Sequence, residues 1–194
     1  VVVYDGARLF LVVFPLWAVF IGRGTHTAVE FLRKRFSRTV VLFAGLLFFI
    51  PQAYGLITLR PVYLSYYNLS VGGLRGAERL GLELDYWGDS LTPEFLQSVA
   101  DAVPPGSTIE VFPVLHGLQV QTLQDQSPSL QAREVRLKAY TNHRSPTSRY
   151  VLIFRREADL QEFWKHLPGD AQPLVQLERE GVMLAALYEL PAAP

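Results

Sequence analysis

The chain has 194 residues, 18 basic and 18 acidic side chains, 49% hydrophobic residues and no cysteine. The missing cysteine excludes disulfides, thiol nucleophiles and cysteine-based metal sites. Six basic and two acidic residues lie in 1–59, and the other 12 basic and 16 acidic residues follow, a mildly acidic remainder that argues against a nucleic-acid partner.

The length suits one ordinary domain plus a short membrane segment, and the chain, which starts Val1-Val2-Val3-Tyr4, is expected to be a piece of a longer or processed protein. Residues 9–21 (LFLVVFPLWAVFI) are apolar, and a first membrane span is expected over about 9–22. A signal peptide is the alternative, but no basic segment precedes the run and no small-x-small cleavage site follows it. Residues 22–38 carry Arg23, Arg33, Lys34, Arg35 and Arg38 against Glu30, the pattern of a cytoplasmic connection. Ala28, Val29, Leu32 and Phe36 suggest a helix with one apolar face there. Residues 39–59 (TVVLFAGLLFFIPQAYGLITL) are 21 positions without a charge, and a bilayer core needs roughly 20. A second span is expected, kinked near Pro51, with a buried core helix as the alternative. Two crossings leave the N-terminal segment and everything after Arg60 on the outer face. The expected location is therefore the cell inner membrane, multi-pass, with an extracytoplasmic C-terminal domain.

Residues 61–91 are rich in Tyr, Trp and Gly and are expected to form a linker on the membrane surface. From Thr92 to the C-terminus a small α/β domain is expected. Thr92-Pro93-Glu94 is a helix start, followed by the stripe Phe95, Leu96, Val99 and Val103. Residues 108–114, 135–140 and 150–155 have strand patterns, 159–167 a helical one, and 174–178 with 182–190 a hairpin about Glu180-Gly181. Residues 118–130 are ambiguous. The segment 92–190 carries its own apolar faces and is expected to fold alone. The fold class expected overall is two transmembrane helices followed by a small α/β extracytoplasmic domain.

Gly72-Gly73-Leu74-Arg75-Gly76 is either a tight turn or a phosphate cradle before a short helix, and it matches no nucleotide-binding fingerprint. Asn68-Leu69-Ser70 has the form of a glycosylation sequon. His26, His116, His143 and His166 share no metal spacing, so no metal site is expected. Asp5 and Arg8 stand one helical turn apart at the expected outer mouth of the first span, where they pair with each other or Arg8 receives an anionic head group. In Asp85-Tyr86-Trp87-Gly88-Asp89-Ser90, acids and aromatics cluster as they do where a sugar is held, or where a domain is seated on a membrane.

Tyr4, Asp5, Gly6, Arg8, Phe10 and Pro15 form one ordered set of motif residues. Tyr66, Tyr67, Asn68, Gly72, Gly73, Gly76, Ala77, Asp85, Tyr86, Trp87 and Gly88 form a second. In this order they resemble the C-terminal part of bacterial lipid-carrier-dependent membrane glycosyltransferases, the GT-C enzymes related to protein O-mannosyltransferases and aminoarabinose transferases. Leu9 departs from the histidine common at its position, and the ending GVMLAALYEL is similar to the family's closing hairpin. The resemblance implies a polytopic bundle that moves a sugar from a polyprenyl-phosphate donor to an extracytoplasmic acceptor. The catalytic carboxylate of that family is expected in the first outer loop, ahead of this chain, so this piece by itself is expected to be inactive. Asp5, Arg8, Asp85, Tyr86 and Trp87 are the expected substrate-binding residues. The expected partners are the bilayer, the lipid-linked sugar and the preceding helices of the same protein.

A membrane-anchored periplasmic binding or scaffold module without catalysis is the competing reading. A transporter fragment is a third, disfavoured because neither apolar run carries a buried ion pair.

Overall fold

A computed structural model describes residues 13–114, 116–140, 149–164 and 171–190. Two long helices come first, α1 (Val13–Arg35) and α2 (Arg38–Thr58). The chain then divides between Pro51 and Gln52 into two compact units.

The basic stretch after Ile21 is not a loop. It continues α1 to Arg35, and only Phe36-Ser37 separates the two helices. No proline interrupts 22–35, and Ala28, Leu32 and Lys34 are good helix formers. Residues 13–21 of the apolar run and the charges thus share one helix. Among the described residues, α2 is the one helix long and apolar enough to cross a membrane. A helix apolar around its whole circumference needs a membrane or a protein interior around it. Leu42, Phe48 and Phe49 of α2 are 64%, 70% and 65% exposed, which leaves that requirement unmet among the described residues.

The second unit contains α3 (Gly73–Arg79), α4 (Pro93–Ala102), β1 (Thr108–Phe112), α5 (Gly117–Asp125), α6 (Pro128–Ala132), β2 (Arg136–Ala139), β3 (Tyr150–Phe154), α7 (Glu157–Trp164), β4 (Pro173–Arg179) and β5 (Val182–Glu189). Two short 3₁₀ turns, Tyr63–Ser65 and Leu69–Val71, precede α3. The five strands form one mixed sheet in the order β2-β1-β3-β5-β4. β1 runs parallel to β2 and β3, with Ile109 beside Tyr150 and Leu137. β5 is antiparallel to β3 and β4.

Both faces of the sheet are covered, which explains the nearly continuous apolar runs of β3 and β5. Ile109, Val111, Leu152, Phe154 and Leu187 face α4, where Phe95, Leu96 and Val99 close the main core. Alternate residues Val151, Ile153 and Ala186 face Leu160 of α7. The start of α4 is as the sequence predicts, with Thr92 Oγ1 accepting from Phe95 N and Pro93 in the first turn.

Residues 61–91 differ from expectation. They are packed into the α/β unit, where Leu59, Val62, Leu74, Ala77 and Leu84 form a core with Val182 and Leu184 of β5. A segment cut at Thr92 leaves Val182 and Leu184 without those neighbours, and burying each such side chain contributes about 1.5–3 kcal/mol. A chain of residues 92–190 is expected to be about 3 kcal/mol less stable than one of residues 59–190. Urea unfolding of both measures this, and equal midpoints would remove the small core from the account.

Candidate functional site

The motif Asp85–Ser90 forms one loop at the carboxyl edge of the sheet. Asp85 N donates to Arg155 O just after β3 (3.1 Å), and Gln119 Nε2 of α5 donates to Trp87 O (3.1 Å). The loop therefore lies where β1 and β3 end. Ligands of open α/β sheets gather at this edge, at the point where the strand order reverses.

The carboxylate of Asp85 organises the loop from within. Oδ1 accepts from Gly88 N (2.7 Å) and Asp89 N (3.2 Å), and Oδ2 accepts from Ser90 N (3.2 Å) and from Ser90 Oγ. Asp85 is fully buried. Both its oxygens are occupied by its own loop, so its place in the motif is structural. Gly88 turns the chain at φ +76°, and a Cβ there would meet Gln119 Nε2 at 3.1 Å.

Tyr86 is half-buried beneath the guanidinium of Arg156, 4.7 Å from the ring centroid, and meets Trp87 edge-on at 5.2 Å. Arg156 is itself held by Asp159 (2.6 Å). Trp87 remains 44% exposed, an aromatic surface on a rigid support. Asp5 and Arg8 lie outside the described residues.

Asp89, quoted in the motif but not singled out by the sequence, is the titratable member of the site. Its Oδ2 accepts from Leu64 N (3.2 Å), which ties the loop to the 3₁₀ turn that follows α2. Its Oδ1 is buried without a donor. Burial, then the neighbouring carboxylate of Asp85, push its pKa up to about 7, although backbone N–H groups pull the other way. Between 3.8 and about 7 the folded chain holds a proton that the unfolded chain has released. The associated stability is complete below the lower value and is lost as the pH rises through the upper one. Asn is the neutral isostere of the protonated acid. Asp89→Asn should match the parent below pH 3.8 and be more stable at pH 8. Asp89 is only half-buried, so solvent screening limits the gain to about 1 kcal/mol, or about 3 °C in melting temperature. Parallel pH dependences for the two proteins would show that Asp89 is not the titrating group.

Asp89 also lines a groove of about 840 Å³. The groove brings together Ile57 and Arg60 from the end of α2, Leu91 and Phe95, and Leu177 and Arg179 from β4. Arg179 donates to Arg60 O through Nε (3.3 Å) and Nη2 (3.1 Å), while the side chain of Arg60 is exposed. Arg60 and Arg179 are 119 residues apart, and no local pattern joins them. The available sequence signal was the first cation after an uncharged run.

The glycine-rich turn is occupied from inside the protein. Glu180, at the tip of the β4–β5 hairpin, accepts from Leu74 N through Oε2 (3.2 Å) and from Thr58 Oγ1 through Oε1 (3.3 Å). Arg75 Nε donates to Glu180 O. The anion at the start of α3 is thus the protein's own carboxylate. A Cβ on Gly76 would stand 1.7 Å from Val71 O, so close backbone approach explains that glycine. Asn68 caps the adjacent turn through Ser70 N (2.9 Å), and His116 caps α5 through Leu118 N (3.2 Å). Among the described residues, no three His, Asp or Glu side chains gather as metal ligands.

No family model matches the chain, and neither curated proteins nor solved structures give a significant match.

Proposed function

We propose that this chain is the C-terminal part of an integral membrane glycosyltransferase that moves a sugar from a polyprenyl-phosphate donor to an extracytoplasmic acceptor. The observation that carries the reading is the way the α/β unit is built onto the end of the apolar helix. Leu59 is buried in the unit's small core, Thr58 is bonded to the hairpin tip, and the Tyr66 ring lies against Gly55, where an added Cβ would be 2.2 Å from Cε2. Tyr66, Gly72 and Gly73 of the second set of motif residues lie at this junction. A unit fixed to a span works at the bilayer surface, where an isoprenoid-linked donor presents its phosphate.

Transfer requires a base to take the acceptor's hydroxyl proton while the phosphate leaves from the opposite face of the sugar. Fixed positive charge stabilises the departing phosphate. The base belongs to the part of the enzyme ahead of this chain. The residues here hold the site at the membrane and supply Arg8 and the aromatic surface of Tyr86 and Trp87. In a second reading the chain is an anchored binding module without catalysis, favoured by the exposed Trp87 at the carboxyl edge of the sheet.

Topology tests both readings. The basic residues 22–38 are assigned to the cytoplasm and everything after Arg60 to the outside. Alkaline phosphatase fused after Pro194 is therefore expected to be active. An inactive reporter on an intact, inserted fusion would overturn the assignment.

A further inference from the structure

The groove beside Arg60 is set at a definite height if α2 crosses the bilayer, and the inference that follows rests on that part of the proposed function. α2 has 21 residues, about 30 Å at 1.5 Å per residue, which is the thickness of the hydrocarbon core. Arg60 follows two residues later, at the level of the lipid phosphates. It is exposed, and among the described residues it makes no ion pair. Arg179 is held beside it by the Arg60 carbonyl and by Glu178 O (2.8 Å). The other charged groups lining the groove are Asp89 and Glu94. Asp89, with its pKa near 7, carries only part of a negative charge at neutral pH. Glu94 is exposed in the first turn of α4. Ile57, Leu91 and Leu177 supply apolar wall, and Ile57 is 76% exposed. No Tyr or Trp lines the groove to stack against a sugar.

We infer that this groove seats the phosphodiester headgroup of an anionic bilayer phospholipid, with the Arg60 guanidinium on the phosphate and an acyl chain beside Ile57. A guanidinium binds two phosphate oxygens at once and stays charged at every working pH. The apolar wall next to it suits the chain that such a headgroup carries. The bound lipid fixes the depth of the α/β unit at the surface.

Native mass spectrometry of the full chain, purified in mild detergent and offered equal phosphatidylglycerol and phosphatidylcholine, reads the site. The wild type is expected to retain one phosphatidylglycerol about tenfold over phosphatidylcholine, and Arg60→Glu to lose that preference. Arg60→Gln repeats the test without reversing the charge and should also lose it. Equal retention of both lipids by the wild type, or undiminished preference in both variants, overturns the inference. Displacement of phosphatidylglycerol by an equal amount of undecaprenyl phosphate assigns the groove to the carrier lipid and also overturns it. Flotation with vesicles separates the two levels of the account. A chain that floats but retains no lipid defeats this inference alone, and a chain that does not float defeats the membrane reading with it.

Discussion

Asp85→Ala is expected to destabilise the α/β unit by about 4 kcal/mol, because several buried donors lose their acceptor together. Three backbone N–H groups and the Ser90 hydroxyl converge on this carboxylate. Asp85 and Ser90 are fully buried. Water cannot easily replace the lost acceptor, and each unsatisfied donor costs about 1–3 kcal/mol. The loop would rearrange to recover part of that, at the expense of the Gln119 bond that holds Trp87. Asp85→Asn keeps one oxygen but aims an amide at backbone N–H groups, so it should cost roughly half as much. Thermal melts of the purified chain check the order, with Asp85→Ala lowest. A wild-type melting temperature for Asp85→Ala would mean that the loop does not depend on its acid.

The part of the fold that was legible in the sequence is the part governed by neighbours in the chain. Thr92 and Pro93 marked α4 because a cap and a first-turn proline act within four residues. Glu180-Gly181 marked the β4–β5 turn, where both residues adopt positive φ. Residues 118–130 were ambiguous because they form two short helices, one started by His116 and one by Ser127-Pro128. Leu74 and Ala77 share one face of the short α3, but Val62 and Leu84 lie outside any helix or strand, so their common burial against Val182 and Leu184 left no pattern to find.

The candidate site divides in the same way. The motif around Asp85 was visible, but the motif alone could not assign its acid inward and its tryptophan outward. Asp89 acquired its raised pKa from burial and then from Asp85 four residues before it, with the N–H of Leu64, 25 residues earlier, pulling the other way. Arg60 and Arg179 meet only because β4 is a sheet edge beside the end of α2.

Under the proposed function, Arg8→Ala is expected to lower sugar transfer by the full-length protein on the order of 10²–10³-fold, the usual cost of removing a well-placed transition-state donor. Arg8 follows Asp5 by three residues at the expected outer mouth of the first span. In the resembling family, the matching arginine lies on the side of the membrane where the donor reacts. A local Asp5–Arg8 pair, by contrast, would contribute only about 0–1 kcal/mol when exposed. Arg8→Lys separates the two roles because it keeps the charge and loses the fork. A phosphate clamp should be clearly impaired by lysine, whereas a loose surface pair should not. Both variants should reach wild-type levels in the membrane. Loss of the protein itself would make the role structural, and normal transfer by Arg8→Ala would rule out the clamp.

The central claim is that the substrate is a sugar on a polyprenyl phosphate. Its most direct measurement uses membranes containing this chain together with the helices expected to precede it, supplied with a panel of polyprenyl-phosphate sugars labelled in the sugar. The account predicts that label leaves the lipid fraction and appears on an extracytoplasmic acceptor, and that Arg8→Ala membranes with equal protein do this at least 100-fold more slowly. Label that stays on the lipid for every sugar in the panel, with the protein inserted and folded, would contradict it.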